Sequence, residues 1–242
     1  MKRVEENSAT PGRGQTTEAL DAPAHFSPPR LPYWVVGLLF SAFCAVLLSG
    51  CVQSLFPKLP PPQYYQIDYP FQPSYCAEPF AGTVRIRPFT ASAPYDREQM
   101  IATSPRLRVR FSSHYQWVAP PADMVANYLM RDLSSGKVFE NVAPAGSFMP
   151  AAYAMSGQIY RFDLEKSGAS SKAVLELEIS LWREKPRAVI FRKHFHYQSP
   201  PLTSNSPGEF AAAMSGLVAQ LSMDLRNDLC ALRKDSLHPA GD

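Results

Sequence analysis

A long charge-free segment near its start constrains this chain most strongly. No Asp, Glu, Lys or Arg occurs between Arg30 and Lys58, and residues 33–48 read YWVVGLLFSAFCAVLL. These 16 residues fall short of the roughly 20 that cross a bilayer as a helix. A basic flank, an apolar run and small residues after it form the layout of a secretory signal. We therefore predict that residues 31–50 are a signal segment.

The apolar run ends in the tetrapeptide LSGC at residues 48–51. This tetrapeptide resembles the bacterial lipobox, in which a leucine and two small residues precede a cysteine. The resemblance implies cleavage between Gly50 and Cys51 and attachment of a diacylglyceryl group to the Cys51 thiol; we expect no other cofactor. Val52 follows the cysteine, which by analogy with sorting in enteric bacteria favours the outer membrane over the inner one. The alternative is an uncleaved transmembrane anchor that contains a chance cysteine.

The regions on either side of the signal differ in composition. Residues 1–30 are polar and rich in Ser, Thr, Pro and Glu, which predicts a disordered extension. Six prolines occur between residues 51 and 73, and proline fixes φ and removes a backbone donor. We therefore predict an extended tether at 51–63, a folded domain at 64–234 and a disordered tail at 235–242.

The cysteine count and the charge balance narrow the function classes. Signal removal deletes Cys44 and lipidation uses Cys51, so Cys76 and Cys230 remain as a pair in an oxidising compartment. We predict a disulfide between them; the alternative is two separate buried thiols. The chain has 24 basic and 21 acidic residues, a net charge of +3, which does not predict a nucleic-acid partner.

Two segments have the apolar spacing of amphipathic helices. One covers residues 121–135 and stops at Gly136. The other begins with Ser206 as N-cap, Pro207 at the first helical position and Glu209 at the third. Its apolar stripe consists of Phe210, Met214, Leu217, Leu221, Leu225 and Leu229.

Alternating apolar and polar residues predict the strands. Between Arg106 and Phe111 the alternation places Leu107, Val109 and Phe111 on one face and three arginines on the other. The last three predicted strands are expected to form an antiparallel meander. Two helices and six or seven strands imply an α/β layered domain. The predicted strands cover residues 64–69, 82–87, 106–111, 138–142, 158–164, 174–182 and 187–197.

Two sequence patterns resemble functional sites, one a metal site and the other a catalytic serine, but we predict that neither has that function. His194 and His196 share one strand face, but zinc needs three or four ligands and no further histidine has motif spacing. The pair is expected on an exposed face opposite Phe195. Residues 134–137 contain Ser-x-x-Lys without the S-D-N and K-T-G elements of the serine enzymes that use it. We therefore predict no metal site and no catalytic residue.

Five arginines lie on predicted strands at alternate positions. This spacing makes a basic strand face, which could meet lipid headgroups or an acidic partner. The alternative is a solvated or ion-paired sheet face. The arginines are Arg85, Arg87, Arg106, Arg108 and Arg110.

Several segments after the lipobox resemble, in order, the ABC-type transport auxiliary lipoprotein family, which includes the paraquat-inducible lipoproteins. They are YYQI at 64–67, VRI at 84–86, HYQWVAPP at 114–121 and GKVFENV at 136–142. The Trp-x-x-Pro-Pro block before a helix is the most specific of them. The chain departs from the family at residues 100–103, where relatives often have a Tyr-Arg pair.

The resemblance implies a fold and a role. The fold is a three-layer α/β/α sandwich on a mixed, largely antiparallel sheet, similar to the N-terminal domain of TolB. The role is non-enzymatic: a membrane-anchored subunit that works beside an ABC permease, its ATPase and a periplasmic MCE-domain protein in lipid transport between membranes. Membrane lipid is an expected partner, and association of several copies into a homo-oligomer is a possible further one. The alternative is a structural or assembly lipoprotein of the envelope without an ABC transporter.

The region between Tyr95 and Pro121 is our predicted partner-facing surface. It combines loops with Tyr95, His114, Tyr115 and Trp117, and we predict that these four side chains contact the partner. The alternative is that Trp117 fills the core.

The lipobox generates the first test. We expect that Cys51→Ala abolishes metabolic lipid labelling and partitioning into detergent, because the thiol that accepts the diacylglyceryl group is lost. Radiolabelled fatty acid and phase separation in detergent measure the two effects. Unchanged partitioning of the variant would support the plain anchor instead.

Overall fold

A computed structural model describes residues 32–48, 60–73, 75–105 and 108–237. The chain divides into two compact units, Met1–Lys58 and Leu59–Asp242. In the first unit the described residues form helix α1, Tyr33–Leu48. No helix among the described residues combines the length and the apolar character needed to cross a membrane. The predicted extension, the cleavage site at Gly50 and Cys51, and most of the tether lie outside the described residues.

The described residues of the second unit form nine strands, two helices and a short 3-10 helix at Ala93–Tyr95. The helices are α2, Pro121–Ser135, and α3, Pro207–Leu237. Most predicted strands are present but begin or end a few residues away from the predicted limits. The strands are β1 (Gln63–Tyr65), β2 (Phe80–Ile86), β3 (Thr90–Ala91), β4 (Gln99–Ser104), β5 (Arg108–Trp117), β6 (Phe139–Pro144), β7 (Tyr153–Ser167), β8 (Ser170–Arg183) and β9 (Ala188–Gln198).

All nine strands belong to one mixed sheet in which β7 is central. One edge of β7 pairs antiparallel with β8, which pairs antiparallel with β9, so the predicted meander is confirmed. The other edge pairs in parallel with β2, β3 and β4, one after another. Beyond these, β6 pairs in parallel with β2, β5 pairs antiparallel with β4, and β1 pairs in parallel with β5.

Both helices of this unit lie on the same face of the sheet. Ser222 on α3 donates a hydrogen bond to Asp132 on α2 at 2.6 Å, which requires the helices to be neighbours. The predicted leucine stripe of α3 is buried, as are Leu177 and Ile179 on the facing side of β8. The α/β class and the mixed sheet are confirmed, but the helical layer covers one face only. The chain has no further amphipathic helix among the described residues for the other face.

A disulfide joins Cys76 to Cys230, with their Cα atoms 5.4 Å apart. It links the segment before β2 to the last third of α3 across 154 residues of sequence. After β1 the chain packs beside the helices and does not extend the strand. Strand β1 ends at Tyr65, yet Ile67 and Tyr69 are buried in the core.

A buried carboxylate ties the same region together. Asp132 is 1% exposed and accepts hydrogen bonds from the Tyr69 hydroxyl at 2.9 Å and from Ser222. The Nε of Arg131 approaches its other oxygen at 2.7 Å. Arg226 is also buried; burial lowers its pKa, and the charge of Asp132 opposes that shift. One carboxylate therefore joins the N-terminal segment, α2 and α3.

We expect Asp132→Ala to lower the free energy of unfolding by about 3–5 kcal/mol, the cost of removing one partner from a buried ionic network. Asp123 lies exposed in the first turn of the same helix, so Asp123→Ala should cost no more than about 1 kcal/mol. Urea denaturation of both variants measures the difference. Equal losses would show that the network adds nothing beyond a surface charge.

A groove beside the β4–β5 hairpin

An apolar groove opens between the β4–β5 hairpin, the end of β7 and the start of α3. Its volume is about 210 Å³. Met100, Leu164 and Phe210 are the most deeply buried of its lining residues together with Ile101. The remaining lining residues are Ala102, Arg110, Phe111, Ser112, Tyr115, Lys166, Asn205 and Pro207.

The groove combines this apolar surface with positive charge. Arg110 and Lys166 line it, and none of the described residues that line it is an aspartate or a glutamate. A basic margin around an apolar depression is complementary to a group that is apolar and carries negative charge.

A bulge in β5 shapes one wall of the groove. Ile101 is opposite Phe111 and Gln99 is opposite Gln116, so one residue of β4 faces four residues of β5. The Ser112 hydroxyl accepts hydrogen bonds from the backbone N–H groups of His114 at 3.2 Å and Tyr115 at 2.8 Å. Such side chain–backbone bonds replace ladder bonds in bulges and turns. Tyr115 is thereby left at the surface.

The start of α3 forms the opposite wall. The N–H of Glu209 donates to the Ser206 hydroxyl at 3.2 Å, which confirms the predicted N-cap. The Glu209 carboxylate accepts four hydrogen bonds of 2.5–2.8 Å from the N–H and hydroxyl groups of Ser204 and Thr203. These bonds lower the pKa of Glu209 to about 2. They hold the loop that places Asn205 at the groove.

Two of the four predicted partner-contacting side chains are buried. Trp117 is 1% exposed and packs its ring against Phe162 and Phe210, with ring centres 5.3 and 5.5 Å away. The Tyr95 hydroxyl donates to the buried Asp163 at 3.3 Å. Burial, followed by the Asp163 charge, raises the pKa of Tyr95 to about 12. The prediction that Tyr95 and Trp117 contact a partner is therefore wrong, and the alternative that Trp117 fills the core describes the structure.

His114 and Tyr115 do reach the surface, and Tyr115 lines the groove. The apolar residues next to them are also exposed, which the sequence pattern does not predict: Val109 is 40% exposed and Phe111 is 47% exposed. Strict alternation is typical of a strand with one buried face. No described element covers that face of β5, and nothing in the local pattern reveals this.

A second charged cluster lies behind β4. Asp163 is fully buried and accepts hydrogen bonds from Thr103, Tyr95 and Arg161. Arg161 also pairs with Glu165 at 2.8 Å. Burial alone would lower the pKa of Arg161, but the hydrogen bonds to Asp163 and Glu165 raise it. This network attaches β4 and the 3-10 helix to β7, and so supports the hairpin that forms the groove.

The other candidate residues lie away from the groove. His194 and His196 are exposed on β9 and approach Glu176 at 3.0 and 3.6 Å, while Phe195 is buried on the other face, as predicted. Among the described residues, no three His, Cys, Asp or Glu side chains are arranged to hold a metal ion. The Ser-x-x-Lys pattern at 134–137 lies where α2 ends.

The predicted basic strand face is divided. Arg85 lies on β2 and Arg87 directly after it, whereas Arg108 and Arg110 lie on β5. Arg85 is level with Ala154 at the start of β7, whereas Arg110 is level, through Ala102, with Leu164 near the end of β7, so the four side chains do not form one surface. Arg106 lies outside the described residues.

The fold is a mixed α/β sheet with helices on one face. Residues 65–225, more than half of the chain, match the model of the ABC-type transport auxiliary lipoprotein component. The chain therefore belongs to the ABC-type transport auxiliary lipoprotein family, as the sequence resemblance predicted. No protein with a curated description matches the chain.

Solved structures agree on the fold. A protein of the DUF330 family from Xanthomonas campestris is 17% identical, with a TM-score of 0.64 over 72% of this chain and 99% of its own. An uncharacterised protein is 13% identical, with a TM-score of 0.55 over 70% of this chain and 99% of its own. At these identities the likeness concerns the fold alone.

The Glu209 carboxylate gives a pH-dependent test of the groove wall. Its pKa is about 2 in the folded protein, against about 4.3 in an unfolded chain. A lowered pKa adds stability that is fully present above pH ~4.3 and is lost as the pH falls towards 2. The difference in unfolding free energy between the native protein and Glu209→Gln should therefore be constant near neutrality and shrink across that window.

Urea denaturation at a series of pH values measures this difference. Thr203→Val keeps the carboxylate and removes one hydroxyl donor, so it should give an intermediate pH dependence. A difference that stays the same down to pH 2 would contradict the assignment.

Proposed function

We propose that this protein is a non-catalytic, membrane-anchored subunit of an ABC transport system with a periplasmic MCE-domain protein, and that it docks the periplasmic part of that system at a membrane. The cargo we propose is lipid that moves between membranes. The match to the transport auxiliary lipoprotein family over residues 65–225 is the observation that carries this proposal.

The anchor is a diacylglyceryl group on Cys51. The LSGC tetrapeptide at the end of the apolar run supports this assignment, as does the description of the family as lipoproteins. The folded domain then faces the periplasm. Val52 favours the outer membrane as the place of anchoring.

We propose the groove and the edge of β5 as the docking surface for the MCE-domain protein. Strand β1 pairs only with Tyr115–Trp117, so among the described residues nothing pairs with the outer edge of β5 at residues 108–114. An open edge can receive a strand from a partner, whose backbone completes the ladder while its side chains enter neighbouring pockets. An apolar side chain would fill the groove, and an acidic one would pair with Arg110 or Lys166.

Matched tyrosines test this surface. Tyr115 in the groove is 36% exposed, and Tyr160 on the far side of β7 is 38% exposed. We expect that Tyr115→Ala weakens the complex with the MCE-domain protein about tenfold, as loss of an interface aromatic does, and that Tyr160→Ala leaves it unchanged. Co-purification of the full chain, followed by titration of the extracted proteins, measures both.

The result also separates the proposal from its alternative. If the full chain co-purifies with neither the MCE-domain protein nor the permease and ATPase, a structural or assembly lipoprotein of the envelope is the better description. If the complex forms and the two variants bind equally, the transport role stands and the groove is not the docking surface.

A further inference from the structure

The sheet face opposite the helices carries a second surface that combines apolar and basic side chains. Arg85 on β2 is paired in register with Ala154 on β7, which is paired with Trp182 on β8, and Trp182 is paired with Val189 on β9. Residues opposite each other in a ladder point to the same face. These four side chains therefore form a row across four strands.

The loop between β6 and β7 adds an apolar tip beside this row. Phe148 in this loop is fully exposed, and Met149 is about half exposed. The Arg85 guanidinium donates a hydrogen bond to the Met149 carbonyl at 2.6 Å. The arginine at one end of the row therefore holds the loop whose phenylalanine projects into solvent.

Positive charge surrounds the tip and the row. Arg87 lies over the Trp182 ring, 5.2 Å from its centre, and pairs with Glu184 at 3.1 Å. Lys185 and Arg187 are exposed in the turn between β8 and β9. Glu184, which directly follows β8, therefore already forms an ion pair with Arg87.

We propose that this surface rests on a bilayer of anionic phospholipid. We call it the lipid-facing patch and define it as Arg85, Arg87, Phe148, Trp182, Arg187 and Val189. The Phe148 side chain projects from a loop and does not line a pocket. A projecting side chain suits a partner surface that can deform around it. Aromatic side chains are favoured at the level of the lipid headgroups, and basic side chains beside them are attracted to anionic lipid.

This contact is separate from the lipid anchor and independent of the proposed transport role. Strand β1 runs parallel to β5, and β5 runs antiparallel to β4, which is parallel to β7. The chain therefore enters the domain at the end of the sheet where β7 finishes, whereas the row lies where β7 begins. Attachment through the residues before Gln63 does not by itself place the patch on lipid.

A fluorescent reporter at position 148 tests the proposal on the full chain. The Phe148→Cys variant is purified from membranes, labelled with the fluorophore NBD and reconstituted into vesicles; in the processed protein Cys51 is lipidated and Cys76 and Cys230 are bonded, so the label attaches at position 148. The vesicles contain phosphatidylcholine alone or phosphatidylcholine with phosphatidylglycerol. The anchor holds the protein on both kinds, so a shift of the emission to shorter wavelength only on anionic vesicles reports contact of the patch with lipid. A label at Met223→Cys, which is exposed on α3, should show no shift.

Charge reversal in and beside the patch is a second test, and the same charge change on β5 is its control. Arg187→Glu in the patch, combined with Lys185→Glu beside it, should lower the equilibrium constant for docking by at least about 25-fold, roughly fivefold for each basic side chain lost. Arg108→Glu with Arg110→Glu makes the same charge change on β5, outside the patch, and should leave the shift intact. An equal response of the 148 label to both kinds of vesicle would overturn the proposal. So would a response that needs an added acidic protein, which would assign the patch to a protein partner.

Discussion

Pairing along both edges of β7 is the constraint on which the rest of this domain depends. One edge carries the β8–β9 meander, and the other receives three successive short strands from residues 80–104. Since side chains alternate between the faces of a strand, every element that pairs with β7 inherits the same two faces. Leu177 and Ile179 on β8 belong to the face covered by helices, and Glu176 and Glu178 belong to the open face. The open face exists because two helices share one side.

Buried carboxylates attach the less regular parts to this framework. Asp132 connects the N-terminal segment to both helices, and Asp163 connects β7 to Thr103 on β4 and to Tyr95. Each carboxylate receives several donors, and an unpaired charge in either place would be costly. The segments from β1 to β2 and from β3 to β4 contain little regular structure, so these polar contacts and the disulfide define where they lie.

The elements with strong periodicity could be predicted from the sequence, and the exposure of individual side chains could not. The N-cap at Ser206 and the leucine stripe of α3 follow from local spacing, because they depend on one helix and one core. Trp117 and Phe111 both lie on β5. The sequence pattern offers Trp117 as a partner contact or a core residue, and it places Phe111 on the apolar face of an alternating strand. Their exposure depends on what covers each part of the strand, which only the sheet order determines: Trp117 meets Phe162 and Phe210, whereas Phe111 lies beyond the reach of β1. The one-sided placement of the helices is likewise a consequence of the order of strands.

The two surfaces lie far enough apart to be used at the same time. Leu164 at the groove and Ala154 in the row across the open face are both on β7, and ten residues of strand at about 3.3 Å each separate them by roughly 33 Å. They also differ in their physical basis. The groove offers apolar burial at a strand edge with two cations, whereas the patch presents cations around a projecting phenylalanine. Because salt screens exposed charges far more than it affects buried apolar contact, ionic strength should weaken lipid contact first and leave a docked partner strand in place. If both proposed contacts form, a partner at one end of β7 and a membrane at the other end do not compete for the same surface.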